Sequence, residues 1–353
     1  MALEDLVWEL AGEIEPADAS AAQIARELHR LLLKPPGSLG RLEDLGVRLA
    51  AMAGESPPPV PEDPAVVVCA GDHGVLARGV SPWPREMTAA MVESFCAGGA
   101  AVNAIARTVG ARVSVLDAGV ASELQRHPLL RGAKVRPGTD DLSVGAAMSR
   151  EEAARAVLAG AGVAEELVES GGVDLLVTGD MGIGNTTPAA CLVAAFTGRP
   201  AREVTGRGTG IDDATLELKT GVVERALELH DPDTGDPMGV LAALGGLEHA
   251  ALVGVILMGS VYGVPVVLDG VVSNSAALVA RALAPRSTDY LVAGHLSVEP
   301  GAGVALQKLG LEPLLDLQMR LGEGTGALLA VPLVQAAARV MREMKTLEEA
   351  GVG

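Results

Sequence analysis

The stretch 174–188, DLLVTGDMGIGNTTP, has the residue types of an anion-binding turn. An apolar run that indicates a buried strand ends at Gly179, and the letters NTTP after the loop are typical of a helix start. At a helix start the backbone N–H groups have no helical partner and the dipole is positive, so a phosphate is favoured there. The missing side chains of Gly182 and Gly184 would let that phosphate touch the main chain. Because the pattern is neither GxGxxG nor GxxxxGKS/T, the turn alone fits an ordinary strand-to-helix connection equally well.

Alternating strand and helix patterns must position this turn. Apolar runs that predict strands occur at 65–70, 113–118, 175–179, 266–269 and 290–293. Helical patterns occur at 85–109 with a break at 98–99, and at 151–170, 185–196, 212–230, 248–259 and 273–283. The alternation predicts an α/β fold, with a mostly parallel sheet and helices on both faces.

Other polar and glycine-rich clusters lie where ligands of such sheets bind. Three of them, at 71–74, 269–274 and 294–301, directly follow predicted strands. The carboxyl ends of parallel strands meet at one edge of a sheet, so we expect these clusters to lie close to the turn at 179–185. Two more glycine clusters, GRGTG at 206–210 and GEGTG at 322–326, lie outside that simple rule.

Both ends of the chain are predicted to be helical. Asp18 is the predicted cap of a helix that ends near Leu33, with an apolar face of Ile24, Leu28, Leu31 and Leu32. Ser38 is the predicted cap of a second helix, and a long final helix is predicted over 325–346. The Pro-rich stretch GESPPPVPEDP at 54–64 is the clearest boundary in the chain.

The composition excludes several classes of function. The 353 residues are 49% hydrophobic, enough for a large core, and the formal net charge of −18 without a basic cluster argues against nucleic-acid binding. The run 250–268 has no charged residue, but its glycines and Pro265 divide it, which favours a buried helix followed by a central strand over a membrane span. The first ten residues lack the basic region of a signal peptide, so we expect a soluble, cytoplasmic protein.

Neither a disulfide framework nor a metal centre is predicted. Cys69, Cys96 and Cys191 are widely spaced, without a CxxC pair. Asp72 and His73 are adjacent in a loop and cannot easily ligate one ion together, and no third ligand is evident. We expect His73 to be a structural or pocket-edge hydrogen-bonding residue.

The clusters together resemble the nicotinate-nucleotide–dimethylbenzimidazole phosphoribosyltransferase family. The resemblance runs from about Lys34 to the last helix, and the order and spacing of the motifs make it specific. The motifs are KPPGSLGRLE (34–43), AGDHGV (70–75), GVSPWPREMT (79–88), GDMGIGNTTPA (179–189), GRGTGIDD (206–213), LDGVVSNSAA (268–277), GHLSVEPG (294–301) and LGEGTGA (321–327).

The resemblance implies a fold and a reaction. The fold is a Rossmann-like α/β domain plus a small helical domain from both chain ends, in a homodimer. This divides the chain into 1–64 (helical part of the small domain and linker), 65–320 (α/β domain) and 321–353 (catalytic loop and helix on the small domain). The reaction moves the phosphoribosyl group of nicotinate mononucleotide to 5,6-dimethylbenzimidazole, with inversion at the anomeric carbon, for cobalamin synthesis. No metal or other cofactor is implied.

The resemblance also assigns roles to residues. Glu323, between Gly322 and Gly324, becomes the general base that takes the benzimidazole N–H proton; by itself it would fit a glutamate that is favourable to the dipole of the last helix. The residues implied to bind the 5′-phosphate and ribose are Gly182, Gly184, Gly208, Lys219 and Ser297. The acceptor pocket is expected among Ser81, Trp83, Glu86, Met87, Met181 and Leu321.

Asp180 departs from the family pattern, which often has glutamate there. The carboxylate is retained but its reach is shorter by about 1.5 Å, one carbon–carbon bond, so Asp180 is a second candidate catalytic carboxylate. Two alternatives stay open: a related phosphoribosyltransferase that uses another base, and a nucleotide-binding regulator or carrier without turnover. A carboxylate in a glycine frame against an apolar pocket favours the enzymes, since a binder has no need of it.

Overall fold

Six parallel strands form one sheet in the order β3-β2-β1-β4-β5-β6 in this computed structural model, which describes residues 2–352. The strands are β1 (Pro64–Gly71), β2 (Arg112–Gly119), β3 (Leu130–Gly132), β4 (Leu175–Met181), β5 (Val266–Leu268) and β6 (Leu291–Ala293). This is the Rossmann strand order, in which the chain changes direction across the sheet between β1 and β4. The predicted α/β fold is therefore confirmed, although β3 was not predicted.

The central strands are buried on both faces. Every residue of β1, PAVVVCAG, is buried, and its register pairs Ala65 with Arg112 on one side and with Leu176 on the other. Continuous Val and Ala runs are typical of strands that are covered by helices on both faces. The crevice at the carboxyl ends of β1 and β4 is where such sheets bind ligands.

The helices that follow β1 cover the sheet. The predicted break at 98–99 is present, since Gly98 is left-handed and divides the helical stretch in two. Two short helices at 201–204 and 237–244 were not predicted. The bounds are α4 (Glu86–Ala97), α5 (Ala101–Val109), α6 (Arg150–Glu165), α7 (Thr186–Thr197), α8 (Ala201–Val204), α9 (Asp213–His230), α10 (Pro237–Leu244), α11 (Leu247–Val261), α12 (Val271–Leu283) and α13 (Pro300–Leu309).

The chain ends meet in a helical group of α2 (Ala19–Leu31), α3 (Arg41–Ala53) and α14 (Thr325–Glu343). Ala25, Ala50 and Met341 form its small core. The first helix, α1 (Leu3–Gly12), packs instead on α6 and α11 of the α/β part. The domain limits 1–64, 65–320 and 321–353 stay a prediction.

Two details of the N-terminal prediction were wrong. Asp18 does cap α2, and of the predicted apolar face Leu32 is buried and Leu28 packs on the core, but Ile24 and Leu31 are 52% and 58% exposed. Their places on the buried face are taken by Ala21, Ala22, Ala25 and His29. Small residues face the core because α2 packs closely on α3. The cap of α3 is Gly40, with a φ of 55°, because Ser38 lies in the turn before it.

The apolar run at 250–268 is the predicted buried helix and central strand, α11 and β5. Among the described residues, 86–109 is the stretch that is long and apolar enough to cross a membrane by length and composition. In the structure this stretch is α4 and α5, of 12 and 9 residues. At 1.5 Å per residue neither helix reaches the roughly 30 Å of a bilayer core.

Candidate active site

A cavity of about 650 Å³ opens beside the carboxyl ends of β4, β5 and β6. Its walls come from the loop after β1, the β4–α7 turn, the glycine cluster at 206–210, and the loops before α12, α13 and α14. Every predicted site residue lines it except Glu86, which is exposed in the first turn of α4, outside the cavity wall. Five of the predicted clusters, at 179–185, 206–210, 269–274, 294–301 and 322–326, therefore converge on one site, whereas the cluster at 71–74 does not line the cavity.

Glu323 lies in an unusual backbone segment. Gly322, Glu323 and Gly324 have φ angles of 86°, 63° and 85°, and a glutamate in the left-handed region is strained. The segment presses against the two central strands: a Cβ on Gly324 would lie 2.6 Å from Val66 Cγ2 on β1, and one on Gly179 of β4 would lie 2.7 Å from the Glu323 carbonyl oxygen. Tight contact with the sheet thus fixes where Glu323 projects.

The Glu323 carboxylate is buried at the N-terminus of α5. Its Oε2 accepts the Val102 N–H at 3.2 Å, and the side chain is only 3% exposed. Burial raises the pKa of the carboxyl, the charge of Asp269 raises it further, and the Val102 N–H opposes both. A base with a raised pKa is better matched to proton transfer near neutral pH than an exposed glutamate.

Asp180 is a second buried carboxylate at the end of β4. It accepts an N–H from Asn185 at 2.9 Å, and its oxygen lies 3.1 Å from where a Cβ on Gly322 would be. Burial first, and then the charge of Asp269, raise the pKa of Asp180 well above its ordinary value. Asp180 and Glu323 therefore share one wall of the cavity, where negative charge accumulates.

Lys219 provides a buried cation at the other wall. It is 1% exposed, and its Nζ donates to Thr186 Oγ1 at 2.7 Å and to the Gly206 carbonyl at 3.0 Å. Burial lowers its pKa to about 8, although the charge of Glu299 acts to raise it. An ammonium has three donors, so one remains for a ligand in the cavity.

The amide of Gly208 is not available to a ligand, contrary to the prediction. Its N–H donates to Glu299 Oε1 at 2.7 Å, and its carbonyl accepts from Arg320 at 2.7 Å. Gly208 instead connects a buried carboxylate to an exposed arginine, and Arg320 and Arg207 both line the cavity. The positive charge on this side of the cavity therefore comes from the side chains of Lys219, Arg207 and Arg320, and not from the backbone amide of Gly208.

The β4–α7 turn brings the chain close to the end of β1. A Cβ on Gly182 would lie 2.3 Å from the Gly71 carbonyl, so only glycine fits there. Gly184 has a φ of 92°, which also favours glycine. Ser297, on the loop after β6, is 5% exposed and its hydroxyl accepts the Glu299 N–H at 3.3 Å.

Apolar side chains line the remaining part of the cavity. Trp83 is 47% exposed and Leu321 is 58% exposed, so both offer a free surface to a ligand. Met91 and Met319 add to the predicted Met87 and Met181. Methionine is flexible and adapts to a flat ring, so the wall is suited to an aromatic guest.

Sequence reasoning missed several lining residues. Arg207 and Arg320 are the chemically important ones, and each lies inside or next to one of the two glycine clusters at 206–210 and 322–326. Their position beside GRGTG and GEGTG was the available signal. His295 and Glu299 lie in the motif GHLSVEPG, where Ser297 alone was chosen.

His73 lies in a buried cluster with two residues that the sequence did not connect to it. Glu248 Oε1 is 2.7 Å from His73 Nε2 and 2.8 Å from His249 Nδ1. Two ligands of one tetrahedral zinc would lie roughly 3.3 Å apart, so these separations favour direct carboxylate–imidazole contact. Burial acts to raise the pKa of Glu248, but the two imidazoles lower it to about 2. A Cβ on Gly182 would lie 3.1 Å from His73 Nε2, so the cluster packs directly against the β4–α7 turn.

Comparison with known proteins gives consistent matches. A sequence model described as phosphoribosyltransferase matches residues 14–352. A nicotinate-nucleotide–dimethylbenzimidazole phosphoribosyltransferase from Salinispora tropica is 56% identical, covering 96% of this chain and 97% of the relative. One from Chloroflexus aggregans is 53% identical, covering 98% of each chain. The crystal structure of CobT from Thermus thermophilus superposes with a TM-score of 0.92 at 49% identity, covering 95% of this chain and 99% of that one.

Proposed function

The chain belongs to the nicotinate-nucleotide–dimethylbenzimidazole phosphoribosyltransferase family and is a pentosyl-transferring enzyme, and from that premise we propose its reaction. It transfers the phosphoribosyl group of nicotinate mononucleotide to 5,6-dimethylbenzimidazole. The products are nicotinate and α-ribazole 5′-phosphate, with inversion at the anomeric carbon, for cobalamin synthesis.

The chemistry needs a positioned nucleophile more than an activated leaving group. The pyridinium nitrogen of nicotinate mononucleotide is cationic, so its bond to the anomeric carbon breaks with return of electrons to the ring. One benzimidazole nitrogen attacks that carbon while the other still carries a proton. A carboxylate that removes the proton makes the attacking nitrogen richer in electrons.

The observation that carries the proposal is the placement of Glu323. One of its oxygens is fixed by the Val102 N–H, and the residue lines the same cavity as the apolar side chains and the buried Lys219. A base held by one oxygen keeps the other for the proton of an acceptor. Asp180 lies beside it, and we propose that Asp180 orients the ribose or assists the base.

The phosphate fits the cationic wall. Lys219 has one N–H donor that is not used within the protein, and Arg320 is held nearby by its hydrogen bond to the Gly208 carbonyl. The same part of the cavity is lined by Gly182, Gly184 and Ser297. The acceptor base fits between Trp83, Met87, Met181 and Leu321, with Ser81 at the edge. The two substrates then meet between the cation and the carboxylates.

The proposal is tested by following nicotinate release from nicotinate mononucleotide. We expect release that depends on added dimethylbenzimidazole and yields a product with α configuration. Release with adenine but not with benzimidazoles would favour a related transferase with another acceptor. Binding of nicotinate mononucleotide without base-dependent release would favour a carrier and overturn the proposal.

We also propose that the enzyme is a homodimer that works in the cytoplasm. Support for the dimer comes from exposed apolar side chains near α2, namely Ile24, Leu31 and Leu33, which a second copy would cover. The cytoplasmic location stays a prediction from the sequence. Light scattering at assay concentration tests the dimer, and a monomer mass would contradict it.

A further inference from the structure

Asp269 connects the end of β5 to the beginning of α14. The residue is 1% exposed, and its carboxylate accepts backbone N–H groups from Gly324 at 3.2 Å, Gly326 at 2.8 Å and Ala327 at 3.0 Å. The first N–H groups of a helix have no partner within the helix. A carboxylate 55 residues away in sequence supplies the partner here.

Two neighbours fix Asp269 itself. Its own N–H donates to Thr178 Oγ1 on β4 at 3.2 Å, and the same hydroxyl donates to the Val267 carbonyl at 3.3 Å. His295 Nε2, after β6, lies 3.3 Å from Asp269 Oδ1. The His295 ring also fills the space beside Gly326, where a Cβ would lie 2.1 Å from its Cδ2. Residues on or directly after β4, β5 and β6 therefore fix the position of this carboxylate.

The segment that Asp269 ties down is the strained one. Glu323 precedes Gly324 and has a φ of 63°, a conformation that persists only where the surroundings impose it. Without the three N–H bonds, the segment would keep the bond from the Glu323 N–H to the Asp180 carbonyl at 3.2 Å and its close contacts with the sheet, but the first turn of α14 would lose its side-chain cap. The Glu323 side chain itself has the Val102 N–H as its hydrogen-bond partner among residues 2–352, so its direction depends on the backbone that carries it.

We propose that Asp269, supported by His295, is a positioning residue that holds Glu323 in its catalytic orientation; this inference rests on the proposed role of Glu323 as base. Asp269 acts through the backbone of 324–327 and does not itself line the cavity. Nothing in the sequence motif distinguishes this role from an ordinary acidic residue at a strand end.

Asp269 also affects the protonation of the base. The ionisable groups that face Glu323 are Asp180 from β4, Asp269 from β5 and His295 from the loop after β6, while α5 contributes the Val102 N–H. The charge of Asp269 adds to burial in raising the pKa of Glu323. Removing that charge should therefore move the acid limb of the rate profile to lower pH.

Asp269→Asn tests the proposal. The three backbone N–H groups now donate to two carboxylate oxygens, whereas the asparagine amide has one acceptor oxygen. Its NH₂ group is a donor and would face the N–H groups without forming a hydrogen bond. We expect kcat to fall by about 10- to 100-fold, the loss typical of small misplacements of a catalytic group. Binding of nicotinate mononucleotide should change by less than about 2-fold, and the acid limb of kcat should move to lower pH.

Asp18→Asn is the matched control. Asp18 also caps a helix through backbone N–H groups, those of Ser20 and Ala21, but far from the cavity. Its kcat and its pH profile should equal those of the unmodified enzyme.

Two outcomes would overturn the proposal. One is a kcat of Asp269→Asn within 2-fold of the normal value. The other is a loss of kcat in which the acid limb of the pH profile stays in place and nucleotide binding weakens by the same factor, because a merely structural residue would behave in that way. Glu323→Gln, assayed in parallel, separates the two ideas: if that variant turns over normally, the base assignment fails, whatever Asp269→Asn does.

A milder variant keeps the test valid if Asp269→Asn does not fold. Thr178→Val removes the hydroxyl that receives the Asp269 N–H but keeps the side-chain shape, and Thr178 does not line the cavity. We expect kcat to fall by about 3-fold with unchanged nucleotide binding, on the same misplacement argument. An unchanged kcat in this variant would overturn the proposal.

Discussion

The two walls of the cavity achieve function in opposite ways. The carboxylate wall, formed by Asp180, Glu323 and the underlying Asp269, places acidic groups together so that burial and like charge raise the pKa values of Asp180 and Glu323. The cationic wall places Lys219 and Arg320 near the carboxylate of Glu299, and burial lowers the pKa of Lys219 to about 8 although the charge of Glu299 acts to raise it. This difference supports the proposal that one wall accepts a proton and the other holds an anion.

The walls also differ in what supports them. Glu323 depends on left-handed backbone pressed against β4, so its position is set by tertiary contacts. Lys219 extends from the regular helix α9 and is fixed by Thr186 and a carbonyl. Mutations of the carboxylate wall should therefore reduce kcat, whereas mutations of the cationic wall should mainly raise KM.

The largest effect is expected for Glu323→Gln. The amide keeps the size and can still accept the Val102 N–H, but it cannot take a proton. We expect kcat to fall by about 10²- to 10⁴-fold, the range of general-base contributions, with little change in nucleotide affinity, measured by nicotinate release and calorimetry. Glu93→Gln, on the exposed face of α4, is the control and should be normal. Turnover near the normal rate at neutral pH would remove Glu323 from catalysis.

Gly324→Ala tests the support of the same wall. The added Cβ would lie 2.6 Å from Val66 Cγ2 at a φ of 85°, so the backbone must shift away from β1. We expect kcat to fall by about 10- to 100-fold and the thermal midpoint to drop. Gly54→Ala carries a similar φ of 70° with nothing within 4 Å, so it isolates backbone strain and should retain its kcat. Equal kcat values in the two variants would contradict the role of the close contact.

Lys219→Ala tests the cationic wall. Loss of the buried ammonium removes the proposed donor to the phosphate and leaves Glu299 without its nearby cation. We expect KM for nicotinate mononucleotide to rise by about 10-fold or more, equivalent to about 1.4 kcal/mol, with a smaller fall in kcat. Lys308→Ala, an exposed lysine on α13, should have no effect. An unchanged KM would show that Lys219 does not hold the nucleotide.

The two walls should affect different kinetic constants as the pH changes: the carboxylate wall kcat, and the cationic wall KM. As the proposed base, Glu323 must be deprotonated to act, so kcat should fall as pH decreases through its raised pKa, at a higher pH than for an ordinary glutamate. Lys219 loses its proton as pH rises through about 8, so KM for the nucleotide should rise above that value while kcat changes little. Lys219→Arg should flatten the KM profile, and a rise that persists in that variant would assign it to another group.

Local patterns predicted most of the α/β part because its strands are continuous apolar runs and its loops are rich in glycine. The three-residue strand β3, LRG, has no apolar run, and its pairing with β2 arises from the tertiary fold. The prediction for the buried face of α2 was wrong at Ile24 and Leu31 for the same reason, since packing on α3 selects alanines over these two residues.

The site could be predicted as a set of motifs but not as a set of contacts. The sequence brought Glu323 and Lys219 into one site, yet it could not show that the Gly208 amide is taken by Glu299, 91 residues away. Nor could it connect His73 to Glu248, or Asp269 to the start of α14. These contacts join strand ends and helix starts that are distant in sequence, so no local pattern records them.

The central claim is that Glu323 takes the acceptor proton, and a crystal structure with the benzimidazole acceptor bound beside nicotinate mononucleotide tests it most directly. The deciding quantity is the distance from the free carboxylate oxygen of Glu323 to the benzimidazole nitrogen that carries the proton. We expect a hydrogen-bond distance of roughly 2.6–3.2 Å, with the phosphate against Lys219. A benzimidazole whose N–H faces Asp180 or solvent, out of reach of Glu323, would contradict it.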